Sequence, residues 1–106
     1  MHSNEVIGKI REAAYQVLPQ GSSLYLYGSR ARGDNREDSD WDLLALLPEM
    51  NLSKDDKLNL SCEIWEYGQS IHQDFNTFVY TEQEWNAAPL SLFKYNVRND
   101  SIKIWG

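Results

Sequence analysis

The stretch "WDLLALL", Trp41 to Leu47, is apolar at every position but Asp42 and stops at Pro48. A run this short, bounded by a breaker, reads as a buried strand, although Leu and Ala would suit a helix equally well. A buried strand constrains everything around it, because its sheet must be covered by other layers.

The remaining sequence supplies those layers. Val6, Ile10, Ala13, Ala14, Val17 and Leu18 recur at helical intervals between Asn4 and Leu18, with polar residues at the other positions. Pro19, Gln20 and Gly21 end that helix, and "SLYLYG", Ser23 to Gly28, is a β-rich run stopped by glycine. Ser53 with Asp56 predicts a capped helix to about Gly68, striped by Leu58, Cys62, Trp65 and Gln69. Ile71 to Tyr80, rich in aromatic and β-branched residues, predicts a third strand. Thr81 with Glu84 opens a helix of one or two turns ending near Pro89, and a further helical stretch covers Leu90 to Val97. The closing "IKIW" alternates, with Ile102 and Ile104 on one side and Lys103 and Trp105 on the other. Helices alternating with strands predict an α+β fold, a sheet covered by helices, in one domain over residues 1–106.

Charge and cysteine content narrow the setting. Sixteen acidic residues against ten basic give a net charge of −6, which opposes stable nucleic-acid binding. Cys62 is the only cysteine, the N-terminal "MHSNEVIGKIREAAY" lacks the apolar run of a secretion signal, and no stretch is apolar enough to span a membrane. The expectation is a cytoplasmic protein without membrane contact.

The chemistry concentrates in "YGSRARGDNREDSDWDLL", Tyr27 to Leu44. Strand alternation places Asp40 and Asp42 on one face, with Trp41 and Leu43 on the other. Two adjacent carboxylates repel unless a cation neutralises them, and Mg²⁺ is a hard ion that takes carboxylate and phosphate oxygens. Upstream, Gly28 and Ser29 end a strand where a short helix, "SRARG", begins. Glycine there admits a phosphate close to the backbone, and the Ser29 hydroxyl adds a donor. Arg30, Arg32 and Arg36 are near enough in sequence to help hold a triphosphate. A third carboxylate would complete a two-metal site, and Asp74, at the start of the otherwise uncharged "DFNTFVY", is the candidate. Glu63, Glu66, Glu82 and Glu84 fall on helices as solvated positions. His2 and His72 have no metal-ligand spacing around them. Trp65, Trp85 and Trp105 suit core or partner-facing packing.

Gly28-Ser29, ten intervening residues and Asp40-Trp41-Asp42 match the nucleotidyltransferase signature, GS followed by ten residues and D-x-D. On these residues the chain resembles the polymerase-β-like nucleotidyltransferase superfamily and, within it, the minimal nucleotidyltransferase (MNT) proteins of about this length. The likeness covers nearly the whole chain, since "DFNTFVYTEQEW" is similar to the family's third strand and following helix. Trp41 is bulkier than the usual aliphatic residue between the two aspartates, and His72-Gln73 precede Asp74 where more strand-like residues are usual.

The resemblance implies a mixed β-sheet flanked by α-helices, and transfer of a nucleoside monophosphate, AMP from ATP foremost, with release of pyrophosphate. It implies that Ser29 contacts the nucleotide phosphates and that Asp40, Asp42 and Asp74 are catalytic and hold Mg²⁺, as two ions; Gly28, Arg30 and Arg32 join Ser29 as nucleotide-binding candidates from the loop itself. It further implies an antitoxin in a hetero-oligomer with a helical HEPN toxin, a tyrosine of which accepts the nucleotide. Leu90, Leu92, Phe93 and Trp105 are the residues expected to meet another subunit. The alternatives are a non-catalytic antitoxin that neutralises by contact and, below it, an aminoglycoside-type transferase, whose usual helical domain has no counterpart in this sequence.

Overall fold

A computed structural model describes residues 1–106. Along the chain run α1 (Ser3–Val17), β1 (Ser23–Tyr27), α2 (Ser29–Arg32), β2 (Trp41–Leu47), α3 (Lys54–Gln69), β3 (Phe75–Thr81), α4 (Glu82–Ala87), α5 (Leu92–Asp100) and β4 (Ile102–Trp105). The strands form one mixed sheet in the order β3-β2-β1-β4. β1 is antiparallel to β2 and β4, whereas β2 and β3 are parallel and joined through α3, the crossover that a parallel pair requires. The fold is α+β, with helices on both faces of the sheet.

Alternation along β2 divides two cores. Trp41, Leu43, Ala45 and Leu47 join Leu24, Leu26, Phe75 and Val79 beneath Val6, Ile10, Ala13 and Ala14 of α1 and Ile64 of α3. On the opposite face Leu44 is buried with Trp85 of α4 and Val97 of α5 in a smaller cluster. Asp42 lies on this second face, at the end of the strand that α4 and α5 leave open. No helix is long and apolar enough to cross a membrane.

Both capping boxes form. Ser53 Oγ accepts from the Asp56 N–H at 3.0 Å and Asp56 Oδ2 accepts from the Ser53 N–H at 2.9 Å. Thr81 and Glu84 exchange the same pair at 3.1 and 2.9 Å. Glu63, Glu66, Glu82 and Glu84 are exposed.

The structure departs from the sequence reading at β3, α5 and β4. The third strand starts at Phe75, because residues 71–73 fold back on the end of α3: the Ile71 and Gln73 N–H groups donate to Gly68 O at 3.0 and 2.9 Å, and His72 takes φ 58°. The close return depends on Gly68, where a Cβ would sit 2.5 Å from Gln73 O. The last helix starts at Leu92, since Ser91 Oγ caps it by accepting from the Lys94 N–H at 3.1 Å. β4 does not keep its alternation, because a register shift against β1 pairs Leu24 with Trp105 and Tyr25 with Lys103. Ile104 is thus buried and Trp105 half-buried in the same main core, while Ile102 is exposed. Of the other tryptophans, Trp85 is buried and Trp65 is 45% exposed.

α4 and α5 are stapled by a lysine. Lys94, buried to 9% exposure, donates from Nζ to Trp85 O at 2.8 Å and Ala88 O at 2.7 Å, satisfying carbonyls at the end of α4. Replacing Lys94 with Met keeps the stem and removes the donor. The expected loss is about 1.5–3 kcal/mol, typical of hydrogen bonds to a charged group, read as a lower urea midpoint.

Candidate active site

The site begins where β1 ends. Gly28 adopts φ 75° and ψ −156°, a backbone shape that L side chains rarely take, and a Cβ at this position would lie 2.5 Å from Asp42 Oδ2. Only glycine lets the main chain pass this close to the carboxylate. Ser29 opens α2 immediately afterwards, and Gly33, at φ 83°, closes it in the left-handed conformation. The Gly28-Ser29 turn and Asp42 are therefore neighbours in space.

Sheet register arranges the floor. Asp42 pairs with Tyr27 on one side and Asn76 on the other, which sets Tyr27, Asp42 and Asn76 in a row on one face. Tyr25, Leu44 and Phe78 form the next row. Asp40, just before β2, comes to the same face, where its Oδ2 accepts from Asn76 Nδ2 at 3.0 Å. Phe93 of α5 stands beside these rows, edge-on to Tyr27 at 5.7 Å and to Phe78 at 5.3 Å between ring centroids. The result is an open acidic floor with an aromatic ledge.

The floor is electrically strained. Burial first, and Asp40 second, push the Asp42 carboxyl above the ordinary carboxylate value, and Arg32 only partly opposes them. Burial, Asp42 and Tyr80 push the Tyr27 phenol up to about 12, so it keeps its proton at neutral pH. Excess negative charge on hard oxygen donors suits a divalent cation, and Asp40 with Asp42 have the chemistry to hold one.

The other sequence candidates are placed differently. Arg30 donates to Ser39 O at 2.8 Å and Glu37 O at 3.0 Å, and its guanidinium lies 4.4 Å from the centre of the Trp41 ring. It staples the loop from the face opposite Asp42. Arg32 bonds Asp34 at 3.1 Å and Asp100 at 3.0 Å, tying α2 to the end of α5, while its charge still reaches Asp42. Arg36 is exposed.

Asp74 immediately precedes β3, where its carboxylate accepts from Gln69 Nε2 at 3.0 Å and its carbonyl from the Trp41 N–H at 2.8 Å, which sets its backbone beside Asp40. No three His, Cys, Asp or Glu side chains come together as a metal site. A residue that sequence reasoning missed at the pair is Asn76, which strand parity counted from the apolar Phe75 and Val79 would have found. A cavity of about 660 Å³, lined by Tyr15, Leu18, Ser22 and Trp105 among others, lies at the far end of β1 from Gly28. The paired carboxylates lie on the sheet face at the other end.

Residues 7–103 match the nucleotidyltransferase domain family. The chain belongs to that family. Solved structures share the domain's fold. A toxin-antitoxin crystallised with AMP-PNP is similar at a TM-score of 0.68 and 19% identity, over 94% of this chain and 73% of that one. An MntA-HpeT toxin-antitoxin variant is similar at 0.63 and 15%, over 100% and 74%. A protein of Sulfolobus solfataricus, described as a candidate nucleotidyltransferase, is similar at 0.66 and 21%, over 96% and 81%. No curated protein sequence matches the chain at a significant level.

The strain on Asp42 gives the nucleotidyltransferase domain a pH signature. A carboxyl raised in the folded state favours folding when protonated, and that contribution is lost as pH rises through the folded value. At neutral pH without divalent cations Asp42→Asn should therefore melt higher than the wild type. The gap should close as pH falls below the ordinary carboxylate range, and melting curves in EDTA at both pH values check it.

Proposed function

We propose that this domain transfers a nucleoside monophosphate, AMP from ATP, to a hydroxyl acceptor with release of pyrophosphate. The observation that carries the reading is the meeting of the Gly28-Ser29 turn with the carboxylates of Asp40 and Asp42 on one open sheet face. The turn binds the β- and γ-phosphates through its backbone N–H groups and the Ser29 hydroxyl. Asp40 and Asp42, with Asp74 beside Asp40 before β3, would hold Mg²⁺, as two ions. When bound, the ions would supply charge neutralisation at the transferred phosphoryl group and the leaving pyrophosphate. Arg32 adds positive charge beside Asp42. The Tyr27 phenol, kept protonated, is a donor at the edge of the row. The acceptor hydroxyl approaches in line over the open face, with the Phe93 and Phe78 ledge as its apolar flank.

The acceptor we infer is a tyrosine of a helical HEPN-type toxin, so that the domain acts as an antitoxin in a cytoplasmic hetero-oligomer. Toxin-antitoxin assemblies among the similar solved structures support this reading. Leu90 and Leu92, 69% and 76% exposed, offer apolar contacts at the start of α5. Phe93 and Trp105 are half-buried within the domain's own clusters and contribute less.

Incubating the domain with labelled NTPs, Mg²⁺ and the co-expressed product of the neighbouring gene, followed by intact-mass analysis, tests the proposal. The expected result is a gain of one nucleotide on the partner, strongest with ATP and absent with Asp42→Asn. Silencing of a bound partner without any mass gain would establish the contact-only reading instead.

A further inference from the structure

The segment that carries Asp74 into β3 is tied from two sides. Gln69, the last residue of α3, engages it through one amide nitrogen with both of its hydrogens: Nε2 donates to Gln73 O at 3.2 Å and to Asp74 Oδ1 at 3.0 Å. From β2, Trp41 Nε1 donates to Gln73 Oε1 at 2.9 Å and the Trp41 N–H to Asp74 O at 2.8 Å. Trp41 is buried, with the Arg30 guanidinium 4.4 Å from its ring centre, and it separates Asp40 from Asp42 in the chain. These contacts fix the Asp74 backbone beside Asp40. The carboxylate itself is exposed, and like charge on Asp40 and Asp42 favours turning it out to water. Gln69 is the group that opposes this.

We propose that Gln69 is a positioning residue that holds the Asp74 carboxylate in place as the third cation ligand. Its amide takes one lone pair of Oδ1 and sets the side-chain rotamer, leaving Oδ2 for an ion, as hydrogen-bonded supports of metal ligands do. Being neutral, it orients the carboxylate without cancelling the charge that a cation needs. A lysine or arginine here would form an ion pair with Asp74 and compete with the ion. The seat is firm, because Ile64 and Gly68 of the same helix are buried and the Gln73 N–H donates to Gly68 O at 2.9 Å. The inference rests on the reading of Asp40, Asp42 and Asp74 as Mg²⁺ ligands.

The test counts Mn²⁺ bound to the full chain by electron paramagnetic resonance of the free ion. An ATP analogue that cannot be cut between its α- and β-phosphates is present, acceptor is left out, and uptake by the analogue alone is subtracted. Wild type should bind two ions per chain and Asp74→Asn one. Gln69→Met and Gln69→Ala should bind the first ion as wild type does and the second about tenfold more weakly, as expected when a ligand loses its supporting hydrogen bond. An unchanged second affinity in both variants, or equal weakening of both ions, would overturn the inference and leave the ligand reading standing, since a merely structural role for Gln69 spares both ions or disturbs both. Fewer than two ions on wild type, or two on Asp74→Asn, would overturn the reading of Asp74 as a ligand and the inference with it.

Discussion

The register of β2 is the constraint on which the rest of the molecule depends. Held antiparallel to β1 and parallel to β3, it sends Trp41, Leu43, Ala45 and Leu47 into the main core and leaves Asp42 on the other face. A slip of one residue would exchange the two sets and drive Asp42 into the apolar space under α1 and α3. Hydrophobic burial thus fixes the acidic floor as firmly as it fixes the core. The position of Asp42, and with it the approach of Gly28, follows from packing on the opposite side of the sheet.

Charge around the floor is arranged with equal economy. Arg30 and Arg32, both adjacent in sequence to the Gly28-Ser29 turn, are occupied in different ways: one holds loop carbonyls and the Trp41 ring, the other bridges to Asp34 and Asp100. Of the two, Arg32 is the one whose charge opposes that on Asp42. The protein by itself leaves the floor under-neutralised. That is a reasonable state for a surface that meets cations and phosphates, and a costly one for a surface with no such ligand.

Periodicity made the layered fold legible at α1, whose apolar stripe admits one burial pattern, while the short apolar run of β2, ended by Pro48, marked a strand buried on both faces. The capping boxes at Ser53 and Thr81 were local signals and formed as read. Asp40 and Asp42 share a face by strand parity. What sequence reasoning missed depends on tertiary detail. The tight return over Gly68 moves the start of β3 to Phe75, just after Asp74, and Asn76 comes to the pair from within the strand. The shift that turns Trp105 inward arises from pairing with β1, which the sequence of β4 does not contain. Arg30 was undecidable from the chain alone, since its partners are carbonyls of the loop itself.

The two cores differ greatly in size, and that difference has a dynamic consequence. The α1 and α3 side gathers fifteen buried residues, whereas α4 and α5 are held by Leu44, Trp85 and Val97 with the Lys94 staple. Cooperative units with so few buried contacts open at a fraction of the global unfolding free energy. Amide protons in α4 and α5 therefore belong to a faster-exchanging tier than those of β2 and α1. Phe93 rides on that tier, so the ledge beside the acidic floor can swing away while the floor keeps its register.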